Sequence, residues 1–578
     1  LSTDTPSFSL FAQRTTLTLT LIGFALRLPL LNRFPFREDE AVYAYWALHA
    51  WREDPLFLTV WPDKPPLFIW LLSGTSQIFG TSAAAARWIN IALSTLTIPV
   101  VAVCARKLNP SHNLAPLIAA TTIALNPFAI SFSATAFTDP MLVFCGTMAI
   151  CMALCARSFW AGFWLAAAIM TKQQGLFYAP LIVGILLGVG SRTWKSAINF
   201  LFGTLIIIAP ILYWDSLRWA VAPSPWDLSV RNYSALAVLP PSQWFERASA
   251  WGDLLWYLTG SWWAWGVLAI AGVWGGWQRF YPLLTSPKRG EELTQGARIW
   301  GEYRSDRSPR NGSLPNLGRA RKGLFYHQPQ QISILLIILW AAAFITLHMI
   351  TTIQPWDRYL LPLAPTMALL VGCVLAKLVD FTFSARTKNG SERGQALGPI
   401  RERVTAIILT TAWLALLFAP AARAAMGGYP IGGDHGAYAG LDDAIAWINT
   451  EIGQEKDERA ILYHRALGWH YRFYLYDPIR TGKVELRWFP HAVYLADNAA
   501  KISHRRRFVI EPAWSPVRDL AQQATVRRIN VEKRHQFSDF VVLELSHQPQ
   551  SFCDWCLCQL PNNRRIKPFF SVNSASLR

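Results

Sequence analysis

The stretch FREDEAVYAYW, residues 36–46, sets Glu38, Asp39 and Glu40 side by side and follows them with Val42, Tyr43 and Trp46 at helical spacing, directly after a mostly apolar run. Further on, WPDKPPLFIWLL places Asp63 and Lys64 before Pro65 and Pro66, and TAFTDPML places Asp139 before Pro140. Prolines carry no amide hydrogen and hold the preceding residue extended, so Asp63 and Lys64 read as a rigid charged edge beside apolar sequence. Ionisable residues at or just inside a bilayer boundary are expensive, and their retention there points to function. Asp39, Glu40 and Asp63 are hard oxygen donors of the kind that hold a divalent cation, although no spacing here demands one. Plainer readings stand beside this one. Asp139-Pro140 is also the way a helix begins, with Thr138 or Asp139 as cap and proline at the first helical position, and the acidic triplet would suit a solvated loop. The combination of three such motifs favours a site.

The elements that must position them are membrane spans. The chain has 578 residues, 52% hydrophobic and 16% charged, and its apolar residues come in blocks of about 20, the length that crosses a hydrocarbon core. About eleven candidate spans follow by window and flanking charge, near 15–32, 84–105, 114–133, 139–156, 158–171, 175–190, 197–214, 252–277, 332–352, 359–378 and 404–422. The net charge of +18 is not a nucleic-acid signature. Arg106 and Lys107, Arg157, Arg192 and Lys195, the stretch 279–322 and the stretch 386–403 fall in every second connection, which makes these the cytoplasmic loops. The N-terminus is then inside, and the acidic motifs and everything after residue 423 are outside. The first span reads as an uncleaved one, since no small-residue cleavage site precedes the acidic loop.

After the spans, LDDAIAWINTEI reads as an amphipathic helix and RAILYHRA, RFVIEPA and DFVVLELS as short strands, which together predict a small α/β domain over 423–548, followed by a tail at 549–578. The stretch 278–331 is crowded with Pro, Gly, Ser and Arg and reads as a disordered cytoplasmic insertion. Cys104, Cys145, Cys151, Cys155 and Cys373 lie in apolar segments, where a thiol behaves as a small hydrophobe. Cys553, Cys556 and Cys558 lack a fourth ligand at zinc spacing, so a metal or disulfide role for them has little support.

Taken in order, DEAVYA, DKPPLFIWL, TDPML, MTKQQGLFYAPLIV and RYLLPLAP resemble the polyprenyl-phosphate-sugar-dependent glycosyltransferases, a group that includes the aminoarabinose transferases and the protein O-mannosyltransferases. The likeness runs over roughly residues 15–380. It implies a GT-C fold: a polytopic α-helical membrane protein whose residues 1–422 form the catalytic domain, with 33–66 as its exterior catalytic loop, plus the small exterior α/β domain. It implies Asp39 as the general base and Asp139 as the second catalytic aspartate. Glu40, Tyr43, Asp63, Lys64, Lys172, Arg358 and Tyr359 become substrate-binding residues, the lysines and Arg358 facing the donor phosphate, and Arg231 of WDLSVRNYS is a looser candidate. Gln173 stands where the group has a glycine, which leaves the backbone there in question. The chemistry suits these types: a carboxylate takes the acceptor's proton as it attacks the anomeric carbon, and cations stabilise the departing phosphate.

The resemblance implies a polyprenyl-phosphate sugar as donor, a lipid, protein or polysaccharide as acceptor, contact with membrane lipids, and no nucleic-acid partner. It places the chain in a bacterial cytoplasmic membrane. SWWAWG at 261–266 lacks the aspartate of an oligosaccharyltransferase motif, and nothing matches the luminal repeat domain of the eukaryotic mannosyltransferases, so transfer of one sugar by a bacterial-type enzyme is the expectation. The competing class is a transporter or lipid flippase, with Asp139 and Lys172 as an intramembrane ion pair. The candidate charges cluster at one face and the halves show no repeat, which favours transfer. The absence of a Walker loop and of a zinc-protease motif leaves ATP-driven and metal-hydrolytic chemistry without support.

Overall fold

In the computed structural model, residues 10–233, 237–285, 329–388, 397–431, 437–453, 459–502 and 504–547 are described. They divide into two compact units, Leu1–Tyr438 and Ala439–Arg578. Most of the expected insertion, the C-terminal tail and Cys553, Cys556 and Cys558 lie outside the described residues.

The first unit is helical. Its elements are α1 (Leu10–Arg27), α2 (Glu38–Arg52), α3 (Leu67–Phe79), α4 (Ala83–Leu108), α5 (Leu114–Ala124), α6 (Pro127–Ser133), α7 (Asp139–Leu154), α8 (Ser158–Thr171), α9 (Ala179–Gly188), α10 (Trp194–Arg218), α11 (Pro225–Tyr233), α12 (Trp244–Leu255), α13 (Trp262–Thr285), α14 (Pro329–Ile350), α15 (Leu363–Lys388) and α16 (Leu397–Ala425). Their boundaries follow local chemistry. Ser82 caps α4 by accepting from the Ala85 amide at 3.1 Å, and Thr193 caps α10 through the Ser196 amide at 3.2 Å, each satisfying an otherwise orphaned donor. Asn126 accepts from the Ala129 amide at 2.7 Å ahead of Pro127, so the apolar run 114–133 breaks into α5 and α6 with a 53° bend.

Every expected span falls on a helix or a bent pair, yet among the described residues four helices are long and apolar enough to cross a membrane, or up to six if each bent pair counts as one. The reason is length: α7 and α8, at 16 and 14 residues, rise only about 20–24 Å at ~1.5 Å per residue. The expected span 252–277 is interrupted. Its helices meet at 88° around Gly260, whose φ of +75° lies in the left-handed region and whose Cβ, if present, would overlap Pro420. Small residues bring helices together elsewhere, as is usual in membranes: a Cβ added at Gly162 would strike the Phe200 carbonyl of α10, and one at Gly203 the Phe159 carbonyl of α8. The connection 33–66 contains helix α2, in keeping with the helical spacing of Val42, Tyr43 and Trp46, and Pro66, at φ −78° and ψ −11°, begins α3 instead of continuing an extended edge.

The second unit carries α17 (Leu441–Gly453), β1 (Ala460–His464), α18 (Gly468–Tyr474), α19 (Tyr476–Arg480), β2 (Val484–Trp488), α20 (Ala492–Lys501), β3 (Arg506–Pro512), α21 (Leu520–Val526), β4 (Ile529–Phe537) and β5 (Phe540–His547). The sheet order is β2-β1-β3-β5-β4, with β1 parallel to β2 and β3, and β5 antiparallel to β3 and β4. Ile461, Tyr463, Val509, Leu543 and Leu545 from the strands bury against Leu495, Ala499 and Leu520 from the helices. The expected helix and three strands are present. β2 and β4 are additional, and β4 is mostly exposed, which fits a charged edge strand.

Candidate active site

The site begins at the N-terminus of α2. Glu38, Asp39 and Glu40 form its first turn, where the helix dipole favours negative charge. Glu38 and Asp39 face one cleft, and Glu40 does not. Glu40, 1% exposed, turns inward. Its carboxylate takes both the Nε and Nη2 donors of Arg87 on α4, at 3.0 and 3.1 Å, the Ala136 amide at 2.8 Å and the Arg37 amide at 3.1 Å. Arg87 gives its remaining donors to the carbonyls of Leu31, Phe34 and Pro35, so all five are used. The structure thus gives Glu40 a different use from the substrate contact expected of it: it fastens α2 to α4 and to the loop leading into α7.

Asp39 is consequently held at the rim. Its Oδ2 lies 2.6 Å from Nη2 of Arg358, with 38% of its side chain exposed. Arg358, in the turn before α15, lies over the rings of Trp356 at 4.5 Å and Phe137 at 4.7 Å, and its Nε is buried with no hydrogen-bond partner among the described residues. Burial lowers the Arg358 pKa, but the carboxylates of Asp39 and Asp139 more than offset it, and the net shift is upward. Tyr43, one turn along α2, is buried against Trp46. Its phenol is pushed well above its ordinary value by burial and then by Asp39.

Two further ion pairs complete the cluster. Asp139, the first residue of α7, meets Nζ of Lys172 at 2.6 Å, both side chains nearly fully buried. That ammonium also lies 4.3 Å from the centre of the Tyr359 ring. Lys172 follows the end of α8 in an extended conformation, φ −158° and ψ 139°. Gln173 after it has no left-handed φ, so no glycine is required there, and its side chain donates to the Asp63 carbonyl at 3.0 Å. Lys64 donates to Asp63 Oδ2 at 3.1 Å and to the Tyr233 hydroxyl at 3.0 Å. The Tyr233 hydroxyl in turn donates to Asp63 Oδ2 at 2.9 Å. Burial pulls the Lys64 ammonium below its usual value despite Asp63, and burial with Asp63 raises the Tyr233 phenol.

Three carboxylates and three cations thus stand pairwise, and each cation also rests on an aromatic face. Of the three carboxylates only Asp39 is substantially open, against 13% exposure for Asp63 and 2% for Asp139. Asp39 and Arg358 also line a cleft of about 510 Å³ with Arg37, Glu38, Phe137, Tyr257, Trp356 and Asp357 on its walls. Arg231, expected near phosphate, lies exposed on α11. It is Asn232 and Tyr233 after it that reach Asp63, Asn232 at 3.3 Å. Tyr233, Trp356 and Phe137 are the site residues that the sequence reading missed. The donor set suggested for a cation is not assembled, because Glu40 is committed to Arg87, and among the described residues no three His, Cys, Asp or Glu side chains converge.

Residues 63–214 match the family described as dolichyl-phosphate-mannose-protein mannosyltransferase, a segment that spans Lys64, Asp139 and Lys172. No curated protein matches the chain. Among solved structures the chain is similar to ArnT from Cupriavidus metallidurans bound to undecaprenyl phosphate, at 15% identity and a TM-score of 0.52 over 93% of this chain and 97% of that one. It is similar to the same protein in the apo state at a TM-score of 0.51 and the same identity and coverage. The protein O-mannosyltransferase Pmt1-Pmt2 complex of S. cerevisiae aligns over 41% of this chain and 36% of that one at 16% identity, with a TM-score of 0.29 that bears no weight. The fold of this chain is that of ArnT.

Proposed function

We propose that the chain is a glycosyltransferase of the lipid-phosphate-sugar-dependent GT-C kind, and that it moves a single sugar from a polyprenyl phosphate to an acceptor on the exterior face of a bacterial cytoplasmic membrane. The observation that carries this reading is Asp39. It is the one carboxylate of the cluster open to an incoming acceptor, and it sits against cations suited to a phosphate. As the acceptor oxygen attacks the anomeric carbon, its proton passes to Asp39, the bond from that carbon to the phosphate oxygen breaks, and the prenyl phosphate leaves with the electron pair. Lys64, Lys172 and Arg358 stabilise the charge that develops there. Arg358, with a spare buried donor, passes from Asp39 toward the phosphate, and Asp39 is then free to accept the proton. Asp139 acts by holding Lys172. The ligand of the similar ArnT structure, undecaprenyl phosphate, supports a donor of this class.

The test is transfer from a panel of radiolabelled polyprenyl-phosphate sugars in membranes carrying the wild type or Asp39→Asn. We expect the substitution to lower transfer by roughly 10²–10⁴-fold, the usual contribution of a general base, with expression and donor binding retained. Normal transfer by the variant would remove Asp39 from the role.

A further inference from the structure

The sheet of the second unit has an end that the transfer reading does not use. β1, β2 and β3 run parallel, with β1 between the other two. After β1 the chain enters α18, which packs with α17. That helix lies on the face where Leu462 and Phe508 stand in register, through the ring of Trp447 on Phe508. After β3 the chain enters α21, which packs with α20 on the opposite face, against Ile461, Tyr463 and Val509. Neighbouring strands whose connections leave to opposite faces open a crevice at their carboxyl ends, and this is where open α/β sheets bind ligands.

Aromatic and cationic groups meet there. Arg465 follows β1, Trp488 ends β2, and Trp514 lies two residues past the end of β3. Nε1 of Trp488 donates to the Arg465 carbonyl at 3.2 Å. Nη2 of Arg465 donates to the Ser515 carbonyl at 3.1 Å and to the Ser515 hydroxyl, so both tryptophan-bearing segments are tied to one arginine. Trp488 is 57% and Trp514 50% exposed, more than the other described tryptophans of the unit. Arg465 is exposed too, and among the described residues its Nε and Nη1 have no partner. A single exposed apolar side chain is ordinary, whereas two tryptophans gathered about one arginine at a strand-end crevice form a patch.

We infer that this end of the second unit binds a saccharide, with Trp488 and Trp514 as stacking surfaces and Arg465 as donor to its hydroxyls. The inference is independent of the transfer reading. A pyranose presents C–H faces that stack on an indole and hydroxyl oxygens that accept from a guanidinium, and both kinds of partner stand here side by side. An acyl chain would satisfy the indoles but leave the arginine donors without acceptors, at a cost.

The test measures binding of the purified full chain in detergent to immobilised dextran, mannan, galactan, arabinan, chitin hexaose and lipopolysaccharide core oligosaccharide. Retention on one or more of these is the expected result. Trp488→Ala and Trp514→Ala should each weaken it about tenfold at an unchanged melting temperature, and Trp488→Phe and Trp514→Phe should recover most of the loss. Binding to none of the six, alanine variants that bind as the wild type does, or phenylalanine variants as defective as the alanine ones overturn the assignment. In a second arm, bimane is attached at Trp488→Cys in proteoliposomes, with the labelled wild type as background. A shift in its emission on addition of the saccharide retained in the first arm supports the site. Quenching of the bimane by doxyl-labelled lipid would make this patch a bilayer contact and overturn the saccharide reading.

Discussion

Asp139 and Lys172 form a pair in which each charge depends on the other. Both are nearly excluded from solvent at a 2.6 Å separation, where removal of one partner leaves a buried charge uncompensated and costs roughly 3–5 kcal/mol, while replacement of both by apolar groups of similar size often costs little. Asp139→Leu and Lys172→Met should therefore each lower the unfolding midpoint strongly, and the double substitution should recover much of it without recovering transfer. A double variant no more stable than the singles would count against this account. The same pair shows how far single residues speak. Asp63, Lys64 and Asp139 could be picked from the sequence because charges beside apolar runs are expensive. Within the triplet nothing in residue type separates Asp39 from Glu40, since the difference lies in Arg87, which is 47 positions away in the chain. Tyr233 was hidden for a related reason: in WDLSVRNYS the conspicuous residue is Arg231, and only the path of α11 brings the tyrosine to Lys64.

At the scale of elements, the approach of α8 to α10 leaves no room at Gly203, where a side chain would run into the Phe159 carbonyl. Overpacking of this kind costs about 1–3 kcal/mol, and because Lys172 directly follows α8 the displacement reaches the site. Gly203→Val should lower the melting temperature of the detergent-solubilised protein and reduce transfer, whereas Gly252→Ala, with open space around it, should change neither. Helices were legible in the sequence because apolar runs mark them. Their breaks were legible only in part: the bend at Asn126 is announced by Pro127, but the turn at Gly260 depends on Pro420, far along the chain. In the second unit β1, β3 and β5 carry the apolar signal of buried strands. β4, with the sequence INVEKRHQF, reads as polar because an edge strand buries one face at most.

For the whole molecule, the two units answer to different conditions. In the second, burial and then Arg472 pull the His464 imidazole down to about 4, against about 6.5 when unfolded. Between those values the unfolded chain binds the extra proton and the folded one does not, so stability rises with pH across the window and is progressively lost as pH falls from 6.5 toward 4. Melting of this unit expressed alone should show that slope, and His464→Gln should flatten it; an unchanged slope would assign the acid sensitivity to other groups. The two-part plan was legible from composition, whereas the assembly of the site was not, because its charges come from the ends of α2, α7 and α8 and from the turns before α3 and α15. That distribution has a consequence for the protein's synthesis. A chain emerging from the ribosome passes through the stages of bearing Asp39, then Lys64, then Asp139 with Lys172, and not until Arg358 has followed does Asp39 acquire its counter-charge. Every chain that stops short of residue 358, however well inserted, leaves the Asp39 carboxylate without the guanidinium that faces it.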